Sequence, residues 1–337
     1  MRRTIFNDTA GRLPRFGLSA TSALRQAELI QDTTRAVGAM GLSAARSLPV
    51  AGHMFAPSPR LPLFGRVVFI TGAGRGIGAE AARQAHARGA RVALVGRRLK
   101  PLQQLAEQIG EGAAAFEADV RDLDAMQRAA DATVARFGGI DVVIANAGIA
   151  PPSEPILTID PEEFERTVDV NLLGQWRTVR ATLPAVIERN GHILVVASIY
   201  AFVNGALNAS YAASKAGVDQ LARALRVELA HHEATAGVAY LGFVNTDLVG
   251  DAFAQQQVSE ARSIVPELFT KPIPVTQAGR ALVDGIESRA ATVAAPGWIR
   301  PLVPLRGIAG PIMDEFMVAS PRLSRAISSV ERQHTTS

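Results

Sequence analysis

The stretch RVVFITGAGRGIGAEAARQAHAR, residues 66–88, constrains the fold more than any other part of the chain. A β-branched, apolar run leads directly into four glycines at 72, 74, 76 and 78, and an alanine-rich helical segment follows. A strand, a glycine turn and a helix start in that order form a cradle for phosphate. The glycines allow a tight turn and close backbone approach, and the first turn of the helix offers free N–H groups. Two registers fit the glycines. One is G-x-x-x-G-x-G over Gly72, Gly76 and Gly78; the other is G-x-G-x-x-A over Gly74, Gly76 and Ala79. The sequence leaves the choice open.

The same rhythm continues downstream. RVALV (91–95), AAAFEA (113–118), IDVVIA (140–145), HILVVA (192–197) and GVAYLG (237–242) read as buried strands, with helical patterns over 76–88, 98–109, 122–136, 162–189 and 211–231 between them. Apolar strands separated by helices predict an α/β, Rossmann-type doubly wound parallel sheet of about seven strands, with helices on both faces. Residues 1–66 carry nine arginines against three acids, so the body is close to neutral despite the formal +4 of the whole chain. No nucleic-acid partner is expected from that balance. The absence of cysteine excludes thiolate chemistry, and the scattered histidines 86, 192, 231 and 232 form no metal-ligand set, so no metal is expected.

Where a dinucleotide-binding strand commonly ends in an acid that takes a ribose 2′-hydroxyl, this chain has Gly96 followed by Arg97 and Arg98, and Arg75 lies inside the glycine loop. Guanidinium groups grip a 2′-phosphate that a carboxylate would repel, so NADP(H) is favoured, with NAD(H) the second choice. One segment then carries chemistry of its own. In SYAASKAG (210–217), Tyr211 precedes Lys215 by four residues, in a chain with three tyrosines and only three lysines among its 35 basic residues. On a helix the pair shares a face. An ammonium beside a phenol favours the phenolate and lowers its pKa, which makes the pair an acid/base candidate.

Taken together, TGAGRGIG, ANAG (145–148), VDVNLLG (168–174), VASI (196–199) and YAASK (211–215) resemble the short-chain dehydrogenase/reductase family over roughly residues 63–250. The resemblance implies a CH–OH oxidoreductase with Ser198, Tyr211, Lys215 and Asn171 as catalytic residues. It also implies a cofactor site drawn from Thr71, Gly72, Gly74, Arg75, Gly76, Ile77, Gly78, Arg97, Arg98, Asp119, Val120, Asn146, Ala147, Gly148, Tyr211, Lys215, Gly242, Val244 and Thr246. Asp119 would meet the adenine, and Asn146 with Gly148 would support the strand beside the cofactor. Reducing a ketone builds negative charge on oxygen, so Tyr211 is expected as proton donor and Ser198 as the group orienting the carbonyl. Lys215 is expected to lower the phenol's pKa and to hold ribose hydroxyls, while the resemblance gives Asn171 a water in a proton relay. A homo-oligomer, dimer or tetramer, built through 162–189 and 211–231, is also implied.

The chain departs from the family pattern in three places. Leu241-Gly242 stands where a Pro-Gly pair is common. Residues 1–60 precede the catalytic domain of 61–298 as a targeting, docking or linker segment. An apolar extension and polar tail, 299–337, follows it, and Pro301, Pro304 and Pro311 are expected to interrupt any long helix there. The substrate loop near 248–275 supplies Phe253, Val258, Ile264, Val265, Leu268 and Phe269, which suits a small lipophilic carbonyl or alcohol of steroid, retinoid or fatty type. A cytoplasmic protein is expected, with membrane-surface contact or organelle targeting through residues 1–60 left open. Two alternatives remain: a 3-oxoacyl thioester reductase, and a non-catalytic cofactor-sensing binding protein.

Overall fold

The computed structural model of the protein describes residues 59–246 and 270–335. The expectations for residues 1–58 and for the substrate loop from 247 to 269 lie outside these described residues. Seven strands form one sheet: β1 Val67–Thr71, β2 Arg91–Gly96, β3 Ala113–Glu117, β4 Val142–Ala145, β5 His192–Val196, β6 Thr235–Leu241 and β7 Thr292–Ala295. All neighbours pair in parallel, in the order β3-β2-β1-β4-β5-β6-β7. The helices are α1 Gly76–Ala87, α2 Leu99–Ile109, α3 Leu123–Phe137, α4 Pro161–Val168, α5 Gly174–Glu188, α6 Ala209–Glu228, α7 Val275–Glu287, α8 Leu302–Val318 and α9 Pro321–Thr335.

Alternation along each strand feeds two cores. Val67 and Phe69 of β1 join Met126 of α3, Val179 of α5 and Val218 of α6 on one face. Val68 and Ile70 join Ala82 of α1, Leu102 of α2 and Leu282 of α7 on the other. Because side chains point to opposite faces at every second residue, a central strand must be apolar throughout, which is why these runs are legible. The sheet order reverses between β1 and β4. The loops leaving those two strands therefore part and open a crevice at their carboxyl ends.

Two helical expectations are corrected. The segment 162–189 is not one α-helix: a π-helical turn, Asp169–Leu173, separates α4 from α5. The prolines after residue 300 do not prevent a helix, since α8 runs through them. Pro301 caps α8, and Pro304 sits in its first turn, where N–H groups have no intrahelical partner. Only Pro311 removes a bond, and the residue four positions earlier, whose carbonyl the ring would crowd, is the flexible Gly307.

Candidate active site

The glycine register is decided by steric contact at the end of β1. Gly72 and Gly76 adopt φ of +66° and +57°, which side chains disfavour. A Cβ on Gly78 would overlap the Gly72 carbonyl oxygen and come within 2.8 Å of Asn146 Nδ2, whereas one on Gly74 would make only ordinary contact with Leu102 and Pro101 at 3.6 Å. The operative triplet is therefore Gly72, Gly76 and Gly78. Asn146 ties β1 to β4: its Nδ2 donates to the Thr71 carbonyl at 3.0 Å, and the Thr71 hydroxyl accepts from the backbone N–H groups of Asn146 and Ala147.

The crevice holds one cavity of about 400 Å³. Its wall brings together Gly72, Gly74, Arg75, Gly76, Ile77, Arg97, Arg98, Asp119, Val120, Asn146, Ala147, Gly148, Ser198, Tyr211, Lys215, Gly242, Val244 and Thr246. Thr71, Gly78 and Asn171 stand behind that wall. The wall also includes Asn245 and Val275, which sequence reasoning missed because neither belongs to a local motif.

Tyr211 lies in the first turn of α6, and Lys215, one turn on, is 4% exposed. The Lys215 Nζ donates to the Val196 carbonyl at 2.9 Å and lies 5.6 Å from the Tyr211 ring centre. Ser198 donates to the Leu241 carbonyl at 3.3 Å and accepts from the Tyr200 N–H at 3.3 Å. Asn171, in the π turn, bonds through both ends of its amide. Its Oδ1 accepts from the Ile149 N–H at 2.8 Å, while Nδ2 donates to the Ile149 carbonyl at 2.9 Å and to Ser214 Oγ at 3.3 Å. Ser214 in turn donates to the Tyr211 carbonyl at 2.7 Å. A hydrogen-bonded chain therefore links the loop after β4 to the helix that carries the phenol.

The expected direction of the Tyr211 shift is overturned. Burial pushes the phenol up to about 12, outweighing the lowering effect of a hydrogen bond with Ser198, and the neighbouring Tyr200 adds to the rise. Burial also pulls the Lys215 ammonium down to about 8. Sharing a helix face is not enough, because removing both groups from water disfavours both charged forms. Tyr200 itself packs edge-on against Tyr211, with centroids 5.7 Å apart, and against Phe243 at 6.3 Å.

At the other strand ends, Arg97 and Arg98 are exposed, and their guanidinium groups make no hydrogen bond or close ion pair among the described residues. Asp119 is already engaged: it accepts from the Arg121 backbone N–H at 3.0 Å and from its guanidinium at 2.8 and 3.1 Å. Burial works to raise this carboxyl, but the bonds from Arg121 and the charges of Arg121 and Arg97 together hold it below the usual range. Leu241 in place of proline continues β6 to its end, and the Gly242 N–H donates to the Ala295 carbonyl at 2.8 Å. Beyond it, Val244 bridges to Ile273 and so joins the chain on either side of 247–269.

Glycine cradle, phenol and exposed arginines around one cavity fit a nicotinamide dinucleotide. Among the described residues no cluster could hold a metal ion, and no helix is long and apolar enough to cross a membrane. Comparison with known proteins points the same way. A family model described as short chain dehydrogenase matches residues 66–257. An uncharacterized oxidoreductase of Staphylococcus epidermidis is 32% identical over 201 residues, which is 59% of this chain and 87% of that one. A cis-2,3-dihydrobiphenyl-2,3-diol dehydrogenase of a Pseudomonas species is 34% identical over 221 residues, 64% of this chain and 79% of that one. The crystal structure of 3-ketoacyl-(acyl-carrier-protein) reductase from Brucella melitensis complexed with NADH superimposes with a TM-score of 0.62 at 28% identity, covering 69% of this chain and 97% of that one.

Proposed function

Because the chain belongs to the short chain dehydrogenase family of nicotinamide-dependent oxidoreductases acting on CH–OH groups, we propose that it is an NADP(H)-dependent enzyme that reduces a lipophilic ketone or aldehyde to an alcohol, with residues 61–298 as its catalytic domain. The observation that carries this reading is that Ser198, Tyr211 and Lys215 share one cavity with the glycine loop and with two exposed arginines. The pyrophosphate would lie against Gly72, Gly76 and the start of α1, and the 2′-phosphate against Arg97 and Arg98. When bound, the cofactor supplies the hydride.

The chain's own residues do the rest. Tyr211 Oη gives its proton to the developing alkoxide. A phenol whose pKa is raised by burial is protonated at neutral pH, as a proton donor must be. Ser198 donates a hydrogen bond to the same oxygen. Lys215 holds the ribose hydroxyls and offsets charge left on the phenolate. Asn171 is a positioning residue, fixing the loop at Ile149 relative to α6. Tyr200, edge-on against Tyr211 and in turn against Phe243, supports a substrate with an apolar body. A 3-oxoacyl thioester substrate is the second reading, favoured by the likeness to a ketoacyl reductase.

The test is a steady-state comparison of NADPH and NADH across steroid, aliphatic and acyl thioester carbonyls, with wild type and Gly96→Asp. A Cβ at Gly96 would meet Leu102 only at 3.7 Å, so a side chain can start there without a clash. Wild type is expected to prefer NADPH by roughly tenfold or more in kcat/KM, the scale of a charge-assisted hydrogen bond, and the variant to lose that preference. Equal or better use of NADH by wild type would refute the assignment of Arg97 and Arg98.

A further inference from the structure

A second cleft, of about 160 Å³, shares no wall residue with the cofactor cavity. It lies where α6 and α8 meet the edge of the sheet at β6 and β7. Arg223 and Arg226 of α6 and Arg306 of α8 line it, with Tyr240, Thr292 and Val303. The acid beside it is Asp219, and both of its oxygens are engaged. Oδ1 accepts from Tyr240 Oη at 2.5 Å and Oδ2 from Arg306 Nη1 at 2.8 Å, with Arg223 Nη1 4.0 Å from Oδ2. Arg223 also donates to Gln220 Oε1 at 3.2 Å, while the guanidinium of Arg226 has neither a hydrogen bond nor an ion pair among the described residues.

Three guanidinium groups against one carboxylate leave two positive charges around a small, partly enclosed space. Arg226 stands in the last turn of α6, where a helix dipole welcomes one cation. That accounts for one arginine and not for three directed at the same cleft from two helices. Like charges so placed repel each other unless an anion joins them. A cleft of 160 Å³ is about five waters' share of volume, at roughly 30 Å³ each, which admits a tetrahedral oxyanion and some water but no dinucleotide. Guanidinium forks match phosphate oxygens in pairs, and a dianion balances the residual charge.

We propose that this cleft binds a phosphate dianion, free or as the head of a monoester, gripped by Arg223, Arg226 and Arg306. Since Arg306 is also a tether of α8, the ligand cross-links α6 and α8. The experiment is thermal unfolding of the full chain titrated with inorganic phosphate at constant ionic strength and saturating NADPH. A parallel arm uses vesicles with and without phosphatidic acid. Wild type, Arg226→Ala and Arg97→Ala are compared. A saturable rise in Tm is expected in wild type and Arg97→Ala, with apparent affinity weakened roughly tenfold in Arg226→Ala, the scale of one lost charge-assisted hydrogen bond. Because Arg226 is exposed, its replacement leaves the fold intact. Binding of phosphatidic acid vesicles that fails in Arg226→Ala, with no response to free phosphate, assigns the same site to a lipid headgroup. The proposal is overturned if neither probe acts beyond a sodium chloride control, or if Arg226→Ala responds like wild type. A response lost only in Arg97→Ala also overturns it, since the anion then sits in the cofactor cavity. The Arg97→Ala arm keeps this outcome separate from any failure of NADPH to bind.

Discussion

The crevice at the end of β1 and β4 and the helix α8 are attached to the same sheet in opposite ways. In the crevice, Asn146, Asn171 and Lys215 bond to backbone carbonyls or amides across elements, and Asn171 and Lys215 are 0% and 4% exposed. α8 has no buried residue. Its main polar ties are Arg306 to Asp219 and Asp314 to Asn204, while Leu305, Ile308, Ile312 and Phe316 remain 51%, 68%, 67% and 62% exposed. A buried polar group that loses its partner bears the full desolvation cost, whereas an exposed pair exchanges its partner for water. Substitutions in the first region should therefore be severe and specific, and those in the second mild and local.

The sharpest way to break that contrast is Tyr211→Phe. Removing one hydroxyl from the crevice is expected to lower kcat about 10³-fold, within the range for general acid catalysis, while Tm stays close to wild type. Steady-state kinetics and calorimetry on the same sample check both. Retained turnover would mean that another group delivers the proton. Next in size is Gly78→Ala. Its Cβ would collide with the Gly72 carbonyl and approach Asn146 Nδ2 to 2.8 Å, so the loop must move. Overpacking of this kind costs about 1–3 kcal/mol, and cofactor affinity, followed by fluorescence titration, should fall with stability. The control is Gly74→Ala, where the nearest atoms are 3.6 Å away and little should change.

These residues also show which parts of the molecule the sequence could disclose. Strand order and the crevice follow from apolar runs of fixed length, because a strand buried on both faces has no alternative composition. The glycine register did not follow, since four glycines satisfy two spacings and what separates them is the close approach of Gly78 to the Gly72 carbonyl and to Asn146, 68 residues further on. The Tyr211 shift took the opposite sign because burial of the phenol and the ammonium depends on everything packed around α6, which no four-residue motif contains. α8 was unexpected because proline was weighed as a helix breaker without regard to its place in the first turn or to Gly307. The arginine cleft was invisible for a similar reason: Arg223 and Arg306 are brought together from two helices 83 positions apart in the chain.

A pH-dependent effect lies at the opposite end of the strands from the crevice and sharpens the comparison. His192 opens β5, with Nδ1 2.9 Å from Thr235 Oγ1 and Nε2 without a partner among the described residues. Burial, helped by the charge of Arg289, holds its pKa down to about 3. Between pH 6.5 and 3 the unfolded chain takes up this proton and the folded chain does not. Stability is therefore complete above about 6.5 and falls with acid, by up to about 1.4 kcal/mol for each pH unit in that window. His192→Asn should flatten this limb in urea unfolding curves between pH 6.5 and 4. An unchanged slope would assign the acid sensitivity to carboxylates instead.

The mildest effect should come from α8 itself. Asp314→Ala removes the 2.8 Å bond from Asn204 Nδ2, which anchors α8 beside the segment that follows Ser198 and Tyr200. Both partners are exposed, so water replaces each, and the expected loss of stability is below about 1 kcal/mol. The tie nevertheless reaches the turn that holds Tyr200 against Tyr211. Loosening it should raise KM for an apolar substrate modestly while kcat and cofactor affinity hold. A kcat loss approaching that of Tyr211→Phe would erase the contrast between the two regions, since it would place an exposed helix contact on the same footing as the phenol proposed to donate the proton.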